Sequence, residues 1–503
     1  MKPIVLHVAA EVSPFHKSGG LGDVIAGLPP ALADLGVDVR VVTPFYGKAS
    51  KFASIGGVEG LKPWPVPLQL SLAGRSLEAR VFEAKTHRGA ATTYFVQADH
   101  LSRGDVYGYG DDAYRFAIFG KAAVAVASVL ARSKNVGDVK VVHAHDWHAA
   151  LALYYAKAMP SSVRGVPCVF TIHNLAYQGV ERASTSPHFD VGWDAFHELF
   201  EDRGTLNLMK GALMVADRIT TVSPTYAREI RTAKYGHGLD GLLRWKADRL
   251  RGITNGIDEQ VWNPATDKHL PAQFERDDLD GKEACRRALR FELGLYDPQG
   301  RQAPLIGCVS RLTAQKGIDH LCDVAEDLVE RGAQLAILGE GEEQLERRLH
   351  VLSRRHPTAI AFRKAFDEGL AKRIYAGSDL FAMPSRFEPC GLAQLYSMRY
   401  GTLPVARATG GLVDTVAPLH NRHDVGGATG LLYTRESADG LGDALRWGMD
   451  VVADRGALTT MRRNAMGADF SWAQSARRYL ELYRELGVEL ETSAEGRGPS
   501  AES

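Results

Sequence analysis

Only five cysteines occur in 503 residues, Cys168, Cys285, Cys308, Cys322 and Cys390, and no two of them are closely spaced. That scatter leaves no zinc or dithiol redox motif to read, and it fits a reduced, cytoplasmic setting. An excess of charge of either sign is missing too: 60 basic residues face 60 acidic ones. A nucleic-acid or membrane-surface partner that relies on a net basic field is therefore not expected. The chain has no apolar run that reads as a bilayer span. Ile4 to Ala10 is apolar, but Glu11 and Pro14 cut it short, so it reads as a first strand and not as the core of a signal peptide. No full glycine fingerprint with a ribose-binding acid follows that strand, which argues against a nicotinamide oxidoreductase. With 45% hydrophobic and 24% charged residues, the sequence can bury a large core, in about two to four domains by length.

The pattern that is present is alternation. Strand Ile4 to Ala10, the glycine-rich run Lys17 to Asp23, a helix to Leu35 and strand Val37 to Thr43 make a β-α-β unit with parallel strands, Pro29 and Pro30 predicting a kink or restart. Strand-like runs recur at Val139 to Val142, Pro167 to Ile172 and Arg218 to Val222. A first domain over 1–262 is expected. After a polar, proline-containing connector, alternation restarts at Leu305 to Val309. The next helix sets Ile318, Leu321, Cys322, Ala325, Leu328 and Val329 on one face, and strands follow at Leu335 to Leu338, Leu380 to Met383 and Leu403 to Ala406. A second domain over 263–487 and a disordered tail over 488–503, rich in Ser, Glu and Gly, complete the expected α/β architecture of two doubly wound domains.

Chemistry concentrates where strands hand over to helices. Arg311 and Lys316 lie five apart in Ser310-Arg-Leu-Thr-Ala-Gln-Lys-Gly317, and Glu388 and Gly391 lie in Ser385-Arg-Phe-Glu-Pro-Cys-Gly391. Two cations, a carboxylate and two helix N-termini at one sheet mouth suit a diphosphate and a sugar. Lys17 with Gly19 and Gly20 suits a phosphate, or is an ordinary tight turn. Glu388 either complements a helix dipole or grips sugar hydroxyls, and one orientation serves both. His143-Ala-His-Asp-Trp-His148 has metal-like composition, but His143 and His145 share a face from which His148 diverges, and a sugar-binding Asp146 fits better. His173 at another strand end is open to three readings: general acid or base, sugar partner, or packing residue. The tyrosines of Tyr107-Gly-Tyr-Gly-Asp-Asp112 either stack on sugars or belong to a plain loop.

Taken together, Lys17-Ser-Gly-Gly-Leu-Gly-Asp-Val24, His143 to Trp147, Phe170-Thr-Ile-His-Asn-Leu-Ala-Tyr-Gln-Gly179, Val222-Ser-Pro-Thr-Tyr-Ala-Arg-Glu229, Asn255-Gly-Ile-Asp258, Ser310 to Gly317 and Pro384 to Leu392 resemble, in family order, the bacterial glycogen synthases and plant starch synthases. The resemblance runs from the first strand to about Tyr483. It implies the GT-B fold, two Rossmann-like domains facing across a cleft with a final helix crossing back. It also implies metal-independent, cofactor-free transfer of glucose from ADP-glucose to the 4-hydroxyl end of an α-1,4-glucan such as glycogen, with retention.

By the same resemblance Arg311 and Lys316 hold the diphosphate, and Lys17, Gly19, Gly20, Asp23 and Asn255 attend the nucleotide sugar. Cys390, Gly391 and Leu392 offer backbone N–H groups, Glu388 and His173 hold the glucose, and Asp146 faces the acceptor. Phe366 stands where many relatives place a tyrosine against adenine, and Ala393 where a threonine is expected. A transferase with another donor base or acceptor, a non-catalytic glucan binder and a cofactor-bearing phosphorylase are the competing readings. The binder is disfavoured by the joint presence of Lys17, Arg311, Lys316 and Glu388.

Overall fold

The computed structural model describes residues 2–47, 59–85, 91–133, 137–296, 303–421 and 424–490. The chain divides into two compact units. The first comprises Met1–Val222, Ala227–Gly256 and Trp472–Ser503, the second Ser223–Tyr226 and Ile257–Ser471. The division falls at Gly256/Ile257 and not after Trp262, because Trp262 stacks on Tyr396 at 3.7 Å between ring centroids within the second core.

The first unit is built on a sheet whose order is Leu250–Gly252, Arg218–Thr221, Cys168–Ile172, Val139–His145, Ile4–Val8, Asp38–Pro44 and Thr92–Ala98, all parallel. Strands such as Ile-Val-Leu-His-Val, buried at every position, are what a sheet covered on both faces requires. Strand order reverses at Ile4–Val8, which pairs with Asp38–Pro44 on one side and Val139–His145 on the other. That switch point opens a crevice at the carboxyl ends of the strands. Beyond Thr92–Ala98 the sheet turns antiparallel through Arg75–Lys85, which also pairs with Leu68–Leu72 and Glu59–Pro63.

Helix Gly20–Asp34 continues through Pro29 and Pro30, so the helix does not restart there. Two interior prolines forfeit two backbone hydrogen bonds, but both rings are buried beside Leu28 and Leu32, and packing holds the helix. Helix Asp112–Arg132 is long and apolar enough to cross a membrane, which the sequence reading did not anticipate. Yet 72% of its apolar window is buried inside the protein, as in a core helix. The final helix, Trp472–Glu485, packs on this first unit: Trp472, Tyr479, Leu480 and Tyr483 join Val5, Val24, Leu28 and Val141 in one cluster. Gly27 permits that docking, since a Cβ there would lie 2.0 Å from the Trp472 indole nitrogen. Val488 and Leu490, which fall in the stretch assigned to the tail, are buried in the same cluster; residues from Glu491 onward lie outside the described residues.

The second unit carries a parallel sheet ordered Ile360–Arg363, Gln334–Leu338, Leu305–Val309, Leu380–Met383, Leu403–Arg407 and Leu431–Tyr433. Its switch point lies between Leu305–Val309 and Leu380–Met383. Helix Ile318–Glu330 buries Ile318, Leu321, Cys322, Ala325 and Leu328, as the spacing predicts, and also Val324, which was not predicted, while Val329 is only partly buried.

Candidate active site

Each switch point carries a cluster of the residues singled out above. In the second unit the loops after the two central strands are stitched together. Arg386 N donates to Gln315 O at 2.8 Å, and Gln315 Nε2 donates to Phe387 O at 3.2 Å. The Arg386 guanidinium bridges back to both Asp319 oxygens at 2.8 and 2.6 Å. Gly317, at φ +64°, lies so close to the second loop that a Cβ would sit 2.0 Å from Pro384 O. This stitching brings Lys316 Nζ to 2.6 Å from Glu388 Oε2, which also accepts from Ser385 Oγ at 2.9 Å. Glu388 is 4% exposed, so the pair is a largely desolvated charge contact with its geometry fixed from both sides.

Gly410 and Gly411 buttress the stretch from Glu388 to Cys390. A Cβ on Gly410 would lie 1.9 Å from Glu388 O, and one on Gly411 2.1 Å from Cys390 O. Gly391 takes φ +73°, and Leu392 caps the helix Ala393–Arg399, so Cys390, Gly391 and Leu392 form the turn into that helix. Arg311 is exposed and makes no ion pair among the described residues. Phe366, 78% exposed, projects from the loop after Ile360–Arg363 and joins neither group.

In the first unit the glycine-rich loop is folded around a residue the sequence reading did not assign. Glu11 Oε2 accepts from Ser18 N at 2.7 Å and Gly19 N at 3.0 Å, while Oε1 accepts from Tyr107 Oη at 2.5 Å. The loop amides offered to an anion are thus met by a carboxylate of the same unit. Lys17 pairs with Asp23 at 2.7 Å across the start of the helix that Gly20 opens. A Cβ on Gly19 would meet nothing within 4 Å. Tyr107 therefore serves Glu11 and also stacks on His148 at 4.5 Å, while Tyr109 lies under the Arg115 guanidinium at 4.5 Å.

At the neighbouring strand end Asp146 adopts φ +56°. Its Oδ1 accepts from His173 N at 2.7 Å and Asn174 N at 3.4 Å, tying together the ends of two strands. Burial pushes the Asp146 carboxyl up to about 7, against those two N–H groups, which favour the charged form. His173 is half-buried, and burial lowers its imidazole to about 3. Asn255 is buried, and its Oδ1 finds no partner among the described residues.

His143 and His145 share a face, as their spacing predicts, and both meet His7 of the first strand; His148 turns away to Tyr107. One nitrogen from each of His7, His143 and His145 lies within 4.8 Å of the others, as a metal site would need. The nitrogens of all three rings are taken up by hydrogen bonds within the protein. No carboxylate belongs to the cluster, so the trio fits a hydrogen-bonded core better than a cation.

Glu11, His7, Gly410 and Gly411 were not identified as site residues from the sequence, and Ser385 was read as part of its run but given no role. His7 carried a signal, as the one polar residue in an otherwise apolar strand. The two glycines had none, since their partners lie some twenty residues away.

Comparison with known proteins places these features among relatives. Residues 4–245 match the family described as "Starch synthase catalytic domain", and residues 298–465 match "Glycosyl transferases group 1". The chain is 43% identical over 494 residues to a glycogen synthase of Anaeromyxobacter sp. (strain Fw109-5), covering 96% of this chain and 99% of the relative. It is 41% identical over 497 residues to one of Myxococcus xanthus (strain DK1622), covering 96% and 100%. Among solved structures, the catalytic domain of Starch Synthase IV from Arabidopsis thaliana, bound to ADP and acarbose, superposes with a TM-score of 0.88 at 33% identity, covering 96% and 99%. A sucrose-phosphate synthase from Thermosynechococcus elongatus shares the fold at a TM-score of 0.59 and 20% identity, covering 97% and 99%.

Proposed function

Because the chain belongs to the glycogen synthase family and has its GT-B fold, we propose that it is a retaining glucosyltransferase that moves glucose from ADP-glucose to the non-reducing 4-hydroxyl end of an α-1,4-glucan. The observation that carries the reading is the Lys316–Glu388 contact of 2.6 Å at a switch point, with Arg311, a cation that has no ion pair among the described residues, on the same loop.

As the glycosidic bond breaks, negative charge grows on the departing ADP. Cations fixed before the reaction stabilise that charge more than they stabilise the bound substrate, and so lower the barrier. Arg311 and Lys316 take this role. Glu388, fixed by Ser385 and Lys316, accepts hydrogen bonds from glucose hydroxyls, and Cys390, Gly391 and Leu392 present N–H groups at the turn. Phe366 offers an open ring face to the adenine. Lys17, Gly19, Gly20, Asp23 and Asn255 attend the donor, His173 holds the glucose, and Asp146 serves the acceptor. Retention follows front-face attack within a tight ion pair, the departing phosphate taking the acceptor proton, so no enzyme nucleophile is required. All positive charge in this scheme is the protein's own, and no metal or cofactor enters it. Five free, buried cysteines support placement in the cytoplasm.

The test is purified protein with ADP-glucose or UDP-glucose, with and without glycogen, following nucleotide release and glucan length. Glucan growth from ADP-glucose is expected. Nucleotide release without glucan growth would reject the transferase, and a covalent glucosyl-enzyme trapped with a slow donor analogue would reject the front-face step.

A further inference from the structure

His173 ends a continuous chain of hydrogen-bonding groups buried in the first unit. Its Nε2 lies 2.9 Å from His145 Nδ1, and His145 Nε2 lies 2.9 Å from His7 Nδ1. His7 Nε2 is 3.3 Å from the Tyr483 hydroxyl on the final helix, and that hydroxyl is 2.8 Å from His143 Nδ1. His143 Nε2 is 2.6 Å from Thr171 Oγ1, which is 2.5 Å from Thr220 Oγ1. Burial lowers all four imidazoles, so each is neutral and carries one N–H.

A neutral imidazole that donates at one nitrogen accepts at the other, and a hydroxyl has one proton to give. A hydroxyl can also accept twice, so a run of links pointing inward from His173 must end at Tyr483, Thr171 or Thr220. Whichever hydroxyl ends it is fully buried, and its own proton then has no acceptor among the described residues. If the protons point outward, Thr220 donates to Thr171 and Thr171 to His143. His143 then donates to Tyr483, Tyr483 to His7, His7 to His145 and His145 to His173, and every proton has an acceptor except the His173 Nδ1–H, which stands on a half-buried residue at the open end. A buried donor left unmade bears its full desolvation cost, which selects the outward direction.

We propose that Thr171, His143, Tyr483, His7 and His145 lock His173 as the Nδ1–H tautomer, so that it offers a donor, and not a lone pair, to a hydroxyl oxygen of the transferred glucose. His173 Nδ1 has no protein partner among the described residues, and the residue is half-buried, so this N–H stands at the outer end of the chain. The proposal rests on the glucose-holding role given to His173 above. These residues of the chain are positioning residues, since they act on the sugar only through His173.

Full-length protein labelled with 15N-histidine reports the tautomer through long-range proton–nitrogen correlations, the His173 signals being assigned by their loss in His173→Gln. The wild type is expected to show Nδ1–H. Tyr483→Phe cuts the chain at its hydroxyl, so both tautomers should appear and kcat should fall about tenfold with little change in KM. Thr220→Val makes Thr171 the terminal hydroxyl under the same rule and should keep Nδ1–H, whereas Thr171→Val, which leaves His143 Nε2 without its partner, should mix the tautomers; this pair keeps the test available if Tyr483→Phe fails to fold. An Nε2–H form in the wild type, or a Tyr483→Phe or Thr171→Val protein in which His173 stays wholly Nδ1–H, would overturn the proposal. The tautomer is read without turnover, so failure of the glucosyltransferase reading would show separately, in the glucan assay.

Discussion

Lys316 has two duties, and they can be separated. It faces Glu388 at 2.6 Å in the free protein, and its proposed task is to stabilise the departing diphosphate. Lys316→Ala should lower turnover by roughly 100-fold, the scale of losing one preorganised charge stabiliser. It should also destabilise the fold, because Glu388 is left with Ser385 as its remaining side-chain partner. Adding Glu388→Gln to Lys316→Ala should recover much of that stability and none of the activity. Turnover unchanged in a folded Lys316→Ala protein would remove the residue from the mechanism. Arg311 has no such second duty, so Arg311→Ala should leave the denaturation midpoint in place while activity falls.

At the scale of loops and strands, the glycines that hold the Lys316 and Glu388 loops together are the sensitive points. Gly410 combines φ +46° with a hypothetical Cβ 1.9 Å from Glu388 O, so Gly410→Ala must both strain the backbone and displace the Glu388 loop. A loss of ~1–3 kcal/mol in unfolding free energy is expected, with a raised KM for the donor. An active, equally stable variant would show that the buttress is dispensable. The parallel strands were legible because burial on both faces writes them as apolar runs, and the loops were legible because strand-to-helix handovers concentrate charge and glycine. The antiparallel edge was not read, although Leu68–Leu72 alternates buried and exposed. Such alternation is brief and carries no motif. At Pro29 and Pro30 local propensity argued for a kink or a restart, and buried contacts keep the helix from restarting. The carboxylate of Glu11 on the glycine-rich loop was invisible, because nothing in a linear pattern says which side chain will meet the loop's amides.

For the molecule as a whole, the buried imidazoles set the response to acid. His7, His16, His148 and His173 are each lowered to about 3 by burial, while an unfolded chain takes up their protons near 6.5. Between those values the unfolded state binds more protons, so stability falls as pH drops through the window, by up to ~1.4 kcal/mol per pH unit per group. Asp146, raised to about 7, acts in the opposite sense: its folded form holds a proton between about 4 and 7, so its contribution is lost as pH rises. Four such groups against one give a net loss in acid. The urea midpoint should fall from pH 7 to pH 5, and more steeply in Asp146→Asn; a flat profile would mean that the imidazoles are not held neutral. Trp472→Ala, which empties the seat on Gly27, should cost about 3–5 kcal/mol and act on the first unit.

That seat also dictates an order of events during synthesis. The second unit's residues have all been made once Ser471 is reached, whereas the first unit still lacks the helix bearing Trp472, Tyr479 and Tyr483. The half that leaves the ribosome earliest is therefore the last to be finished. Until the closing helix arrives, a nascent chain carries an uncovered apolar face beside Val5, Val24 and Leu28, the stretch that a chaperone would have most reason to hold.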